Sequence, residues 1–232
     1  MAAAVYNIGT EKNRVLVVDD FMDNPQTIVA QAAAMAPFPV EGESYYPGRR
    51  RFIGRDDRDS QAYVETTLRT LAPFLDKAFG LKGLFPLEAS FCLVTTPPRA
   101  LNPGQRQPHY DRSDPNLFAV LHYLSPNAAV QGGTCFYRHR ATGFERISPD
   151  RAGTYEEMRR EEDARHGPPP PDYVRGSNDR FERIARIEGR FNRVLVYRGS
   201  CLHSGDIPDV FDYSPDPATG RLTCNIFFQA VT

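Results

Sequence analysis

The sequence contains no uninterrupted apolar run of about 18 residues, the length a membrane-spanning helix needs. Its N-terminal stretch also lacks the continuous apolar segment of a signal peptide and carries charges from Glu11 onward. We therefore expect a cytoplasmic protein that does not associate with a membrane.

No excess of charge of either sign is present. The 28 Lys and Arg residues nearly balance the 29 Asp and Glu residues, and the formal net charge is −1. Nucleic-acid-binding proteins usually carry a basic stripe or patch. The one basic run, Arg49 to Arg51, is of a type that more often forms a solvated face than an anion site. We expect no nucleic-acid partner.

Cysteine is scarce, and none of the four cysteines forms a C-x-x-C pair. This absence argues against a zinc ribbon and against a dense disulfide framework. All four cysteines lie in or beside apolar runs, and free cysteine is among the most buried residue types. We expect reduced core residues at Cys92, Cys135, Cys201 and Cys224.

Two stretches have helical patterns. Asn24 followed by Pro25 is typical of a helix start, and an apolar stripe continues until Pro37 should end the helix. A second helix is predicted from Ser60, as its cap, to Phe79, with Gly80 placed to end it. Pro73 inside this run predicts either a kink or two shorter helices meeting near Ala72.

Short apolar segments separated by Gly and Pro turns predict the strands. The predicted strands are 14–21, 88–95, 117–124, 134–137, 193–197 and 221–229. Such strands, preceded by helices, indicate a mainly β fold: a β-sandwich or jelly roll with helices packed on one sheet. We expect residues 1–232 to form a single domain with a polar insertion at about 139–178, in which 156–165 forms a solvated helix and which serves as a lid, a binding loop or a disordered surface.

A His-x-Asp pair, His109 and Asp111, precedes the strand at 117–124. Side chains two residues apart on an extended chain point to the same side, so the imidazole and the carboxylate can converge on one ion. The pair alone is weak evidence because short motifs also arise by chance. A metal site requires further ligands from elsewhere in the chain.

Those residues occur near the last two predicted strands. His203 follows the apolar strand 193–197, and two His with one carboxylate form the ligand set of non-haem Fe(II) oxygen chemistry. On the final strand Arg221, Thr223 and Asn225 share one face, while the residues between them are apolar. A guanidinium in such a pocket favours a carboxylate ligand, which its planar fork binds with two hydrogen bonds.

At these residues the chain resembles the Fe(II)- and 2-oxoglutarate-dependent oxygenases, in their prolyl-hydroxylase-like branch. That family carries H-x-D, a distal His and then Arg or Lys opening the last strand, often with a hydroxyl residue two positions on. The matching residues lie within 88–229, and the segments PHYD, DPN, GGTCFYRH and FNRVLVY also resemble an uncharacterised bacterial subgroup. Arg221 follows His203 by 18 positions, which exceeds the family's usual spacing and which a loop insertion explains.

The resemblance implies a double-stranded β-helix (jelly roll) with N-terminal helices packed on one sheet, and a 2-oxoglutarate-dependent dioxygenase that hydroxylates a small molecule or a peptide side chain. It implies that His109, Asp111 and His203 hold Fe(II), and that Arg221 and Thr223 anchor the distal carboxylate of 2-oxoglutarate. The halogenating members lack the carboxylate ligand, so the presence of Asp111 disfavours halogenation. The oligomeric state is left open.

Other readings remain open at this level. The alternative function is a metal-binding jelly-roll protein that is non-catalytic or independent of 2-oxoglutarate, because fold does not fix function. Isolated histidines are usually structural, and Gly132 with Gly133 precedes a strand, so a tight turn is expected there rather than a phosphate site. The structural histidines are expected at His122, His139 and His166, and further pocket-lining candidates are Gln107, Arg112 and Tyr123. Asn192 and Arg193, at the start of a strand, either close the pocket or only end a turn.

Overall fold

Antiparallel strands make up most of the regular structure. A computed structural model of the protein describes residues 1–40, 45–127 and 132–231. The helices in those ranges are α1 (Pro25–Ala34), α2 (Arg58–Phe79) and α3 (Pro149–His166). The strands are β1 (Ala2–Ile8), β2 (Asn13–Asp19), β3 (Gly48–Phe52), β4 (Gly83–Val94), β5 (Leu117–Tyr123), β6 (Gly133–His139), β7 (Phe181–Glu188), β8 (Arg193–Arg198), β9 (His203–Asp206) and β10 (Leu222–Val231).

The strands form two sheets. The larger has seven strands in the order β1-β2-β8-β5-β10-β4-β3, and the smaller has three in the order β7-β6-β9. Every pairing between these strands is antiparallel. The protein is therefore a mainly β protein with helices, as the sequence predicted.

The outer face of the large sheet and the helices share one buried cluster. The cluster combines Ile28 of α1, Leu71 and Leu75 of α2, and Phe228 of β10 with many other apolar residues. A second cluster includes Val17, Leu195 and Phe136 and lies between the two sheets. The inner face of the large sheet beside this second cluster is the wall on which the candidate site is built.

Helix α2 departs from the sequence prediction at both its start and its middle. It begins at Arg58 after Asp57, so Ser60 is not its cap, and it continues through Pro73 without dividing, so the two-helix alternative is wrong. Proline removes one backbone hydrogen bond, but the buried face with Leu71 and Leu75 holds the turns on both sides against the sheet. The predicted end is confirmed, because Gly80 has a left-handed φ of 74° and donates its N–H to the carbonyl of Asp76.

Four strands were not predicted, because none of them has the apolar sequence pattern from which the other strands were predicted. Strand β1 is alanine-rich, β3 contains the basic run, β7 alternates irregularly between charged and apolar residues, and β9 has four residues with a glycine. These strands form because a neighbouring strand supplies partners for their backbone groups, and β propensity depends strongly on such context. The solvated-face prediction for Arg49 to Arg51 is only partly right, because Arg50 lines the pocket described below.

The insertion at about 139–178 is folded in the structure, so the disordered alternative is wrong. Its helix α3 begins at Pro149, earlier than predicted, and buries Tyr155 while most of its other residues stay exposed or half-buried. Glu145 ties the insertion to the β1–β2 turn, because its buried carboxylate accepts hydrogen bonds from the backbone N–H groups of Thr10 and Glu11 and from Arg138. Hydrogen bonds to a buried carboxylate are stronger than those between neutral groups, so Glu145 holds the insertion firmly against the β1–β2 turn.

Replacing Glu145 by glutamine is expected to lower the free energy of unfolding by about 3–5 kcal/mol, because the change leaves the donors around the site without their charged acceptor. Burial raises the pKa of Glu145, but hydrogen bonds from Arg138 and from Thr10 and Glu11 outweigh it, so the pKa is lowered. A lowered pKa contributes stability above the unfolded-state pKa that is lost as the pH falls. The difference in the free energy of unfolding between wild type and variant, measured with urea, should therefore shrink on acidification.

Glu182 provides the control, because it is more exposed and forms an ion pair with the same Arg138. Glu182→Gln should lower the free energy of unfolding by only about 0–1 kcal/mol.

Among the described residues, no helix is both long and apolar enough to span a membrane.

Candidate metal centre

His109 and His203 face each other across a backbone bridge between the ligand loop and β9. The N–H of His109 donates to the carbonyl of His203 at 2.9 Å, and the N–H of His203 donates to the carbonyl of His109 at 2.8 Å. Directly opposed residues of such a pair bring their side chains together, and the two ring centroids are 4.4 Å apart. Two imidazoles from distant parts of the chain therefore converge at one point.

Asp111 is fixed beside them by the end of β8. Its backbone N–H donates to the carbonyl of Gly199 at 2.7 Å. A Cβ added to Gly199 would lie 3.1 Å from Oδ2 of Asp111 and 2.9 Å from a side-chain carbon of Leu117. A larger residue at position 199 would therefore displace the carboxylate, so glycine is what lets β8 pass so closely behind it.

The ligand atoms of His109, Asp111 and His203 all lie within 4.8 Å of one another, and no other cluster of this kind occurs in the part of the chain that the structure describes. Nε2 of His203 is 3.9 Å from Oδ1 of Asp111. Nδ1 of His203 lies 2.9 Å from the carbonyl oxygen of Cys201 and must donate to it, which leaves Nε2 with its lone pair toward Asp111.

One oxygen of this carboxylate fits a cation better than it fits the apoprotein. Oδ2 of Asp111 is buried and has no hydrogen-bond partner among the described residues. Leaving a buried charged acceptor unpaired is costly, and a bound divalent cation would satisfy it. Two imidazoles and one carboxylate are the facial donor set that suits Fe(II) and leaves positions open for other ligands.

The acid–base properties of the three residues are consistent with a metal site. Burial, assisted by the neighbouring His203, holds the pKa of His109 well below its usual value, so its ring is neutral as a ligand must be. Burial also raises the pKa of Asp111, although His203 and Arg112 oppose the rise. Perturbed groups that meet in a cleft are typical of functional sites.

The three residues open into a pocket of about 970 Å³ between the sheets, at the upper end of the range for small-molecule sites. Arg221, immediately before β10, lines it and is only 4% exposed. Its guanidinium donates to the carbonyl of Gly133 at 2.9 Å and lies 5.7 Å from the ring centre of Tyr123. A desolvated guanidinium strongly favours an anionic ligand, because its planar fork of N–H groups matches a carboxylate.

The alternation predicted for the last strand is present. Arg221, Thr223 and Asn225 line the pocket, while Leu222, Cys224 and Ile226 lie in the cluster with the helices. The hydroxyl of Thr223 donates to Oδ1 of Asn225 at 2.9 Å. Thr223 therefore lies on the predicted wall, but its proton is directed at Asn225 rather than into the pocket.

The remaining candidates divide between the pocket and the scaffold. Gln107 and Arg112 line the pocket, and the Nε2 group of Gln107 donates to the carbonyl of Pro103 at 3.3 Å, so its amide acceptor Oε1 is the atom left buried without a partner. Tyr123 contacts Arg221, but its hydroxyl bonds Thr134 at 2.7 Å.

Asn192 and Arg193, the other two candidates, are structural. Asn192 bonds the backbone of Met22 and the ring of His122, and Arg193 forms a two-bond ion pair with Asp19. They hold β8 to the segments around β2 and α1 and do not line the pocket.

The isolated histidines and the double glycine are also structural, as expected. His122 bonds Tyr63 and Asn192, and His139 bonds Thr142 and Glu162. His166 is exposed at the end of α3. Gly132 has φ 57°, and a Cβ there would lie 1.8 Å from the carbonyl oxygen of Asp206, so the glycine permits close strand packing.

Several pocket residues were missed from the sequence. Arg50 comes from β3, Tyr155 and Arg159 come from the insertion helix α3, and Tyr197 comes from β8. Of these residues only Tyr197 carried a sequence signal, because it lies on a predicted strand. Its position relative to His203 could not be predicted, because that position depends on how the strands pair.

The sequence matches the model of a family described as "Family of unknown function (DUF6445)" over residues 1–228. No curated protein matches the sequence.

The fold of this chain is similar to those of several solved structures. The non-haem alpha-ketoglutarate-dependent epimerase SnoN from nogalamycin biosynthesis has 11% identity and a TM-score of 0.57, with 94% of this chain and 79% of that chain covered. HygX from Streptomyces hygroscopicus, with nickel, 2-oxoglutarate and hygromycin B bound, has 13% identity and a TM-score of 0.52, with 94% and 83% covered. SnoN has also been crystallised with Fe3+, alpha-ketoglutarate and nogalamycin RO, and that structure gives a TM-score of 0.53 at 10% identity, with 94% and 80% covered. At these identities the likeness concerns the fold.

Proposed function

The chain belongs to the DUF6445 family of unknown function, and we propose that it is an Fe(II)- and 2-oxoglutarate-dependent dioxygenase acting on a small molecule or a peptide side chain. The observation that carries the proposal is the convergence of His109, Asp111 and His203 within 4.8 Å at the wall of a pocket that also contains the buried Arg221. Neighbours of the same fold were crystallised with iron or nickel and with 2-oxoglutarate, which supports the same cofactors here.

Each residue has a role in the proposed reaction. His109, Asp111 and His203 hold the iron, and Arg221 binds the distal carboxylate of 2-oxoglutarate. With its co-substrate, the iron supplies the means to insert one oxygen atom of O2 into a substrate C–H bond while the other enters succinate, with release of carbon dioxide. Because the side chain of Arg221 is itself buried, its ionic contact with a carboxylate is stronger than it would be in water.

We also propose the finer features of the fold. The two sheets correspond to a double-stranded β-helix with α1 and α2 packed on the larger sheet, and residues 1–232 form a single domain with an insertion at about 139–178. The order His109, Asp111, His203, Arg221 supports the prolyl-hydroxylase-like branch, and membership of the bacterial subgroup stays a prediction. Because α3 lines the pocket with Glu156, Arg159 and Asp163, we assign the insertion a role in substrate selection.

Anaerobic addition of Fe(II) and 2-oxoglutarate to the protein is expected to produce a weak charge-transfer band in the visible spectrum. The band arises only when the keto acid chelates the metal, so it tests metal and co-substrate together. His203→Ala, which removes a ligand, should not give the band. A wild-type protein that binds metal without producing the band would instead favour the metal-binding protein independent of 2-oxoglutarate.

Substrate identity is approached by measuring succinate release in air against panels of small molecules and peptides. A true substrate should raise succinate production above the level seen without it. Mass spectrometry of the product then tests hydroxylation, which adds one oxygen atom. A product of unchanged mass would exclude hydroxylation and favour a reaction that does not alter the composition of the substrate, such as the epimerisation named for SnoN.

A further inference from the structure

Tyr197 of β8 is a buried pocket residue that the proposed reaction does not yet use. Its side chain is 1% exposed and lines the pocket. The ring packs edge-on against His203, with centroids 4.8 Å apart, and against Phe136 at 5.1 Å. The side chain thus lies at the metal end of the pocket.

The hydroxyl of Tyr197 makes no hydrogen bond with any residue that the structure describes. Three other buried tyrosines are paired: Tyr63 with His122 at 2.8 Å, Tyr123 with Thr134 at 2.7 Å, and Tyr173 with the carbonyl of Thr96 at 2.6 Å. The exception among the described residues is Tyr155, which lines the same pocket and whose hydroxyl also has no partner there. A buried tyrosine hydroxyl nearly always has a partner. Because Tyr197 faces the pocket, a bound molecule is the natural source of that partner.

The strand register separates Tyr197 from the Arg221 end of the pocket. On β5, Tyr197 pairs with Ala119, whereas Tyr123, against which Arg221 lies, is four residues further along the same strand. Residues an even number apart on a strand face the same side. Tyr197 and Arg221 therefore occupy opposite ends of one inner wall, with the metal ligands next to Tyr197.

The chemistry of the phenol decides what it would bind. With an ordinary pKa of about 10 a tyrosine hydroxyl is protonated at neutral pH and can donate a hydrogen bond. At the metal end of the pocket, the buried acceptor without a partner on Asp111 is Oδ2, which the proposed function assigns to the metal. 2-Oxoglutarate carries a carboxylate at each end, and each carboxylate requires donors.

We propose that the Tyr197 hydroxyl donates a hydrogen bond to the carboxylate of 2-oxoglutarate at the metal end of the pocket, opposite the carboxylate that Arg221 binds. This assignment rests on the proposed function. Tyr197 is then a third kind of residue in the site: it binds the co-substrate, but it belongs neither to the metal-ligand motif nor to the residues that bind the distal carboxylate.

Tyr197→Phe tests the proposal through binding rather than turnover. Isothermal titration with Ni(II) alone should give the wild-type Kd, whereas titration of the Ni(II) protein with 2-oxoglutarate should give a Kd raised about 10-fold, as expected for losing a hydrogen bond to a charged group. Thermal unfolding of the metal-free variant should show an unchanged or higher Tm, because an unpaired buried hydroxyl has been removed. The control is Tyr137→Phe, which deletes another buried hydroxyl, bonded to Ser204 at 3.4 Å and outside the pocket lining, and which should leave the 2-oxoglutarate Kd unchanged.

An unchanged 2-oxoglutarate Kd in Tyr197→Phe would overturn the assignment, and so would an equal rise in Tyr137→Phe. A marked loss of stability in metal-free Tyr197→Phe would also overturn it, because it would mean that the hydroxyl has a partner within the protein. A wild-type protein that binds Ni(II) but not 2-oxoglutarate would overturn the proposed function itself, which is a separate result.

Discussion

Replacing His203 by alanine is expected to weaken the binding of Fe(II) or Ni(II) more than about 100-fold. Loss of a residue that only supports a metal ligand weakens binding by up to about 100-fold, and loss of a ligand itself should weaken it more. His203 supplies the ligand atom nearest to Asp111 and forms the backbone bridge that aligns His109. Isothermal titration with Ni(II) measures the change. His166→Ala, at an exposed histidine far along α3, is the control and should bind like wild type.

Asp111→Asn gives a sharper version of the same test, because metal binding and stability should move in opposite directions. The variant loses the charge that attracts the cation, so its Ni(II) affinity should fall as strongly as that of His203→Ala. The metal-free protein should become no less stable, since the carboxylate oxygen that the variant replaces is buried and unpaired. A metal-free Asp111→Asn protein with a clearly lower Tm would show that the carboxylate serves the fold and not an ion.

The second large effect is expected for 2-oxoglutarate binding in Arg221→Leu. Removing one partner of a desolvated ionic contact costs about 2–5 kcal/mol, so the Kd of 2-oxoglutarate should rise about 100-fold, measured by titrating the charge-transfer band under anaerobic conditions. Ni(II) affinity should be retained, because Arg221 is not a ligand. Arg221→Lys should be intermediate, since it keeps the charge and loses the planar fork.

Arg50 provides the matched comparison for Arg221, because it is the arginine of β3 that lines the same pocket. Its guanidinium lies 3.7 Å from the carboxylate of Glu88 and stacks over the ring of Phe52 at 4.8 Å, so it already has partners within the protein. Arg50→Leu should therefore weaken 2-oxoglutarate binding far less than Arg221→Leu. The reverse order would assign the anchoring role to Arg50 and remove it from Arg221.

Thr223→Val separates the two anchoring residues named from the sequence. The Thr223 hydroxyl donates to Asn225, so a valine at this position should change the 2-oxoglutarate Kd less than the loss of Arg221 does. An effect as large as that of Arg221→Leu would mean that the hydroxyl turns toward the co-substrate on binding.

The sequence by itself determined the features that depend on local periodicity. Residues on the last strand alternate between pocket and core because side chains of a strand alternate by geometry, and Gly80 ends α2 because it tolerates a left-handed conformation. The identity and order of His109, Asp111 and His203 were also sufficient to suggest a ligand set. Local pattern was insufficient for β1, β3, β7 and β9, which form only because a partner strand is present.

The tertiary structure alone decided which residues meet. His109 and His203 are 94 residues apart, and their opposition follows from a backbone bridge whose register is set by how both sheets pack. The same packing brings Arg50 into the pocket, removes Asn192 and Arg193 to the scaffold, and leaves the hydroxyl of Tyr197 without a partner at the metal end. Periodicity is encoded between near neighbours in the chain, whereas register and pairing are collective properties of the fold, so the site could be suspected from its ligands but its remaining walls could not.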